Sequence, residues 1–230
     1  MIKTTNLTKK YGSQIALKNL NLEVNSGEIY CLLGANGAGK TTTINLLLSF
    51  IKPTSGSAYI NQLNVEKNAK TTKQFLAYIP ENLMLYQNLT AMENLKYFSG
   101  IAGKKYGTDV LKYYLAESGL QANVFNKPVS KFSKGMRQKV GIAIAFAKDA
   151  QVLLLDEPTA GLDPKANNEF GVLLKKLKAS GVSILMATHD LFRAKEIATY
   201  IGIMKEGELK QYIVSNDISL SELEKIYLDL

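Results

Sequence analysis

The chain contains a single cysteine, Cys31, and a single histidine, His189, in 230 residues. One thiol cannot close an internal disulfide, so no covalent cross-link frames the fold. Cys31 lies in an apolar run and reads as a small buried packing residue. No apolar run approaches the ~18 residues that a membrane-crossing helix needs; stretches such as 141–147 are far shorter. The segment Met1–Leu7 lacks the basic stretch and apolar core of a secretory leader, and with the lone thiol this points to the cytosol. Repeats and low-complexity tracts are absent. The lysines are scattered, with no aromatic-interleaved basic block of the kind that reads single strands or RNA. The net charge of +8 therefore suggests a basic, solvated surface, and nucleic acid is not expected as a partner.

What is present is an ordinary globular composition, 46% hydrophobic and 21% charged. At this length the chain suits one core carrying an inserted subdomain. Its most informative stretch is Gly34-Ala-Asn-Gly-Ala-Gly-Lys40-Thr41. A strand-like run, Glu28–Leu33, precedes it, and Thr42–Phe50 reads as a helix after it. In that context Gly34, Gly37 and Gly39 let backbone N–H groups converge on an anion, with the positive end of the helix dipole behind them. Lys40 can reach β- and γ-phosphates, and the Thr41 hydroxyl suits Mg²⁺. A nucleoside triphosphate site is expected.

Ahead of the loop, Ile2–Leu7 and Ile15–Val24 read as strands joined by a turn over 9–13, with Tyr11 in the turn able to stack on a base. Behind it, Ser57–Ile60 and Phe75–Ile79 read as strands, the latter stopped by Pro80 and followed by Glu81. Thr90–Ile101 and Thr108–Ser118 have helical spacing, Thr90 and Glu93 forming a capping box. Ser133 opens a helix running to Ala147, and its cap followed by Gly135 is a weak anion signal. Gln151-Val-Leu-Leu-Leu-Asp156-Glu157 is an apolar strand ending in two carboxylates, on the edge where open α/β sheets bind ligands. Asp156 is placed to hold a metal and Glu157 to polarise a water. Asp163 caps a helix opening at Pro164. His189 also ends a strand, Val182–Ala187. A hairpin around Glu206-Gly207 and a helix over 219–230 close the chain.

These segments, in this order, resemble the ATP-binding cassette (ABC) ATPases over essentially the full length. The resemblance implies an α/β fold: a P-loop NTPase core with a mostly parallel sheet, an N-terminal antiparallel β-subdomain and an inserted α-helical subdomain. It implies one domain over 1–230, with the core at 1–82 and 151–230 and the helical part at about 83–150. Tyr11 would stack on the adenine of ATP. Gly34, Asn36, Gly37, Ala38, Gly39, Lys40, Thr41 and Thr42 would form the Walker A loop. Thr41, Asp156 and Glu81 would hold Mg²⁺, Glu157 would be the catalytic base, and His189 the switch histidine. Ser133 and Gly135 match the signature loop and Asp163 the D-loop. Two copies, or two related chains, would meet head to tail and share each ATP.

Two departures from the family pattern stand out. Glu81 occupies a place usually held by glutamine, and Lys134 and Met136 replace a glycine and a glutamine of the signature loop. Lys134 would lie near the partner's γ-phosphate and offset the charge of Glu81. The Ser-Lys-Gly-Met-Arg-Gln segment, the Pro-Glu lid and the helix around 223–228 are most similar to the ATPases of ABC-2-type exporters. That resemblance implies a peripheral subunit on the cytoplasmic membrane face, hydrolysing ATP to drive a separately encoded transmembrane permease. An importer ATPase, or a soluble ABC protein acting on nucleic acid or ribosomes, remains open at this stage.

Overall fold

The computed structural model describes residues 1–230. In Ile2–Tyr11 (β1) and Gln14–Val24 (β2), buried Ile2, Leu17, Leu20, Leu22 and Val24 share one face while lysines and asparagines take the other. That is the alternation of an antiparallel sheet solvated on one side. The ladder runs up to the pair Tyr11–Gln14, so the connecting turn is only Gly12-Ser13 and Tyr11 ends a strand. The turn expected over 9–13 is thus corrected, because backbone pairing captures Lys9 and Lys10.

Ile29–Leu33 (β3) leads through the glycine-rich loop into Lys40–Leu47 (α1). Ser55–Ile60 (β4) and Leu63–Asn64 (β5) complete the first sheet in the order β2-β1-β4-β5. Ala69–Phe75 (α2) precedes Leu76–Ile79 (β6). Then come Ala91–Ile101 (α3), Thr108–Glu117 (α4) and Lys134–Lys148 (α5). The Thr90–Glu93 capping box is formed in both directions at the head of α3. Val152–Asp156 (β7), Pro164–Ala179 (α6), Ser183–Thr188 (β8) and Leu191–Ile197 (α7) follow. Tyr200–Lys205 (β9), Glu208–Val214 (β10) and Leu220–Asp229 (α8) end the chain.

The second sheet has the order β10-β9-β3-β8-β7-β6, parallel except for β10. Strands β3, β7 and β8 are buried at every position. Successive residues serve opposite faces: Tyr30, Leu32, Leu154 and Leu185 pack toward α1 and the antiparallel sheet. Cys31, Leu33, Leu153, Leu155 and Met186 pack toward α5, α6 and α7. A continuous apolar run is what a strand covered on both faces requires. Cys31 is fully buried, and burial pushes its thiol pKa up, so it is an inert packing group. A third apolar cluster joins α3 and α4 to Val140, Ala143 and Ala147 of α5, while Ile142 and Ala145 of the same helix belong to the sheet's core. Helix α5 thereby ties the helical part to the sheet.

Leu154 sits in the centre of this core with no exposed surface. Leu154→Ala is expected to cost about 2–5 kcal/mol of folding stability, measurable as a lowered denaturation midpoint with an unchanged slope.

Candidate nucleotide-binding site

The parallel register sets the site. Leu33 pairs with Thr188 and Asp156 with Ala187, so the ends of β3, β8 and β7 share one edge of the sheet. The glycine-rich loop, Asp156-Glu157 and His189 emerge there together. Gly39 caps α1 at φ 104° and ψ 0°, without a side-chain cap, leaving the first N–H groups of the helix for an external anion. A Cβ at Gly39 would also lie 2.8 Å from the Ala16 carbonyl oxygen, and one at Gly34 would lie 2.5 Å from that of Met204. Neither backbone neighbour can yield, so both positions require glycine.

A cleft of about 580 Å³ opens over this loop. It is lined by Tyr11, Asn36, Gly37, Ala38, Gly39, Lys40, Thr41, Thr42, Glu81, Asp156 and Glu157. Gly34 lies beneath the loop, its carbonyl accepting from Lys40 Nζ at 2.6 Å. The Lys40 ammonium also donates to the Ala35 carbonyl at 3.1 Å and lies 3.4 Å from Glu157 Oε1. It is only 5% exposed, so the cation is folded back into its own loop. Tyr11 is half exposed at the mouth, with Lys9 Nζ 4.8 Å from its ring centre.

Thr41 Oγ1 donates to Asp156 Oδ1 at 3.1 Å. Burial raises the Asp156 pKa above the usual carboxylate range; the Thr41 bond works against this and the charge of Glu157 adds to it. Glu157 adopts φ +46°, a left-handed conformation that is strained for a carboxylate side chain and aims it into the cleft. Its Oε2 meets His189 Nδ1 at 2.9 Å, while Oε1 is buried without a hydrogen-bond donor. The Glu157 carboxylate is thus held at the cleft between the Lys40 ammonium on one oxygen and the His189 imidazole on the other. Chemically it suits the activation of a water against a bound phosphoryl group.

Ser133, Gly135 and Asp163 are not in this cleft. They line a separate one of about 470 Å³ between α5 and α6. Ser133 caps α5 by accepting from the Met136 N–H, and Asp163 caps α6 by accepting from the Ala166 N–H at 2.9 Å. Within one chain, then, the expected residues fall into two groups. Lys134 was expected to offset the charge of Glu81. The structure pairs the two within one chain, with Lys134 Nζ 3.6 Å from Glu81 Oε1. Gln14, Ile15, Ala16 and Glu206 line the nucleotide cleft as well, and sequence reasoning did not mark them. The hairpin turn holding Glu206 was legible, but its approach to the loop depends on contacts such as the Gly207 N–H donating to the Ala38 carbonyl.

Fold and cleft together define a P-loop nucleoside triphosphatase. A family profile described as ABC transporter matches residues 17–160. The bacitracin transport ATP-binding protein BcrA of Bacillus licheniformis is 44% identical over 216 residues, 93% of this chain and 69% of that protein. The lantibiotic transport ATP-binding protein SrtF of Streptococcus pyogenes is 34% identical over 221 residues, 95% of this chain and 94% of that protein. Among solved structures, an ATP-binding subunit of an ABC transporter superposes with a TM-score of 0.86 at 31% identity, covering 99% of both chains. A dimeric bacterial ABC transporter cassette gives 0.84 at 28% identity, over 94% of this chain and 99% of that one. The chain belongs to the ABC transporter family, as an ATPase that binds and hydrolyses ATP to power transport.

Because the folded chain holds the Asp156 proton more tightly than the unfolded chain, ionising this group costs stability. Stability falls as pH rises from the unfolded pKa through the folded one, and the cost is constant above it. Asp156→Asn is therefore expected to raise the thermal midpoint of the nucleotide-free and metal-free chain at pH 7. The gain should vanish as pH is lowered through the usual carboxylate range. A scanning calorimetry series over pH checks both signs.

Proposed function

We propose that this chain is the motor subunit of an ABC-2-type exporter, acting as one ATPase domain on the cytoplasmic face of a membrane and driving a separately encoded permease. The observation that carries this is the lid after β6. Its Glu81 lines the nucleotide cleft. Two residues on, Leu83, Met84 and Leu85 line a groove of about 830 Å³ between α2, β6, α3 and α5. One short segment thus lines both the cleft and the groove. The groove presents exposed Met84 and Ile101 among Lys70, Lys73, Lys104 and Lys148, with Asp149 the one carboxylate in its lining. We assign it to an amphipathic cytoplasmic segment of the permease bearing acidic residues. Relatives named for bacitracin and lantibiotic transport support an antibiotic as the class of cargo.

In this reading Lys40 swings from its loop carbonyls to the β- and γ-phosphates, exchanging two neutral acceptors for anionic ones. Tyr11 stacks on the base. Glu157 takes a proton from the attacking water, and His189 holds its second oxygen in place. The hard oxygens of Thr41 and Asp156, adjacent at the cleft edge, fit Mg²⁺, which binds through one or two carboxylates together with substrate phosphates; Glu81 would join them. When bound, the ion would neutralise charge developing on the phosphates. Ser133, Gly135 and Asp163 complete the site of a second copy, or of a related chain, across a head-to-tail dimer. Their separation from the cleft of their own chain supports this, as does the dimeric cassette among the structural relatives.

Glu157→Gln is expected to cut ATP turnover by about 10²-fold or more while retaining bound ATP as a closed dimer on size exclusion. Full turnover would remove Glu157 as the base. Ile101→Asp is expected to release the chain from a multi-spanning membrane protein in pull-downs while leaving ATP binding unchanged. Undiminished co-purification would move the docking surface elsewhere, and salt-sensitive co-sedimentation with nucleic acid would favour a soluble role.

A further inference from the structure

The first turn of α5 presents two different faces. Ser133 and Gly135 face the second cleft, whereas Lys134 and Gln138, four residues apart and therefore on one side of the helix, face the lid. Lys134 Nζ lies 3.6 Å from Glu81 Oε1. The Gln138 side-chain N–H group points at the carbonyls of Pro80 and Glu81, at 3.4 Å each. Gln138 is 1% exposed and its Oε1 has no partner, so this amide is committed to the lid backbone.

The charges around the cleft explain why such a grip matters. Four carboxylates line it, Glu81, Asp156, Glu157 and Glu206. Lys40 is bound to Glu157 and to its own loop. For Glu81 the sole ion-pair partner is Lys134, which is 23% exposed while Glu81 is half exposed. An incoming polyphosphate would otherwise meet an uncompensated carboxylate on the lid, and like charges at this range repel.

We propose that Lys134 is a positioning residue for the lid: its ammonium holds and neutralises the Glu81 carboxylate, so that a lid built on glutamate tolerates ATP and moves with the signature helix of the same chain. The inference rests on the cleft being an ATP site. It makes the two departures from the family pattern, Glu81 and Lys134, a single device. Through it, the lid over one nucleotide is mechanically joined to the helix whose other face serves the second site.

The test is equilibrium titration with the fluorescent analogue methylanthraniloyl-ATP in EDTA at low ionic strength, using the full chain as wild type, Lys134→Met, Glu81→Gln and the double variant. Wild-type binding is the control for the ATP site; its absence would overturn that reading and this one with it. With binding present, Lys134→Met is expected to weaken affinity about two- to five-fold. The same substitution in the Glu81→Gln background is expected to have no effect, and added salt should erase the difference. Hydrogen exchange of residues 80–86 in the nucleotide-free chain should quicken in both single variants, and Lys134→Arg should preserve both affinity and protection. Equal losses in both backgrounds would mean that Lys134 acts on phosphate directly and would overturn the proposal. So would unchanged affinity or unchanged lid exchange in Lys134→Met. If the methionine variant fails to fold, Lys134→Gln carries the same comparison.

Discussion

The parallel ladder joining β3, β8 and β7 aligns Leu33 with Thr188 and Asp156 with Ala187. Parallel strands end at the same edge, and their carboxyl ends leave the backbone free to turn outward into loops. Three segments far apart in the chain are thereby delivered to one rim: a loop that offers N–H groups, a pair of carboxylates and an imidazole. None of the three could both bind and activate a phosphoryl group alone. The ladder holds because β3, β7 and β8 are buried on both faces, one face closed by α1 and the antiparallel sheet and the other by α5, α6 and α7.

Electrostatically the cleft is poised and incompletely paired. Burial pushes the Asp156 pKa up, Glu157 is held in a left-handed backbone conformation, and Lys40 is turned inward against Glu157 and the carbonyls of its own loop. The raised Asp156 pKa and the left-handed Glu157 backbone each cost the free chain some stability. Storing strain where a ligand will release it is a common property of functional sites. The lid adds a second layer, since Glu81 and Leu83–Leu85 belong to one short connection between the cleft and the groove bounded by α2, β6, α3 and α5. A displacement of that connection cannot alter one surface without altering the other.

Much of this was legible from the sequence. Strong local chemistry marked the phosphate loop, the apolar strand ending in Asp156-Glu157, the Asp163 cap before Pro164 and the Thr90–Glu93 capping box. Weak local chemistry hid the rest. Helix α2 is polar, Thr72 being its one buried residue, so it shows no apolar period. Strand β5 is two residues long and is stabilised by pairing with β4 alone. The turn between β1 and β2 was read too wide because Lys9 and Lys10 belong to the strand only through their cross-strand partners.

The sequence by itself determined which groups the chain carries and their local settings, because glycine spacing, caps and apolar runs act within a few residues of themselves. Only the tertiary structure decided which of those groups meet. It placed His189 against Glu157 and Thr41 against Asp156, sent Ser133 and Asp163 to a different cleft, and paired Lys134 with Glu81 inside one chain. Such contacts depend on strand order and helix packing, which are set by burial summed over the whole core and leave no trace in the spacing of any single motif.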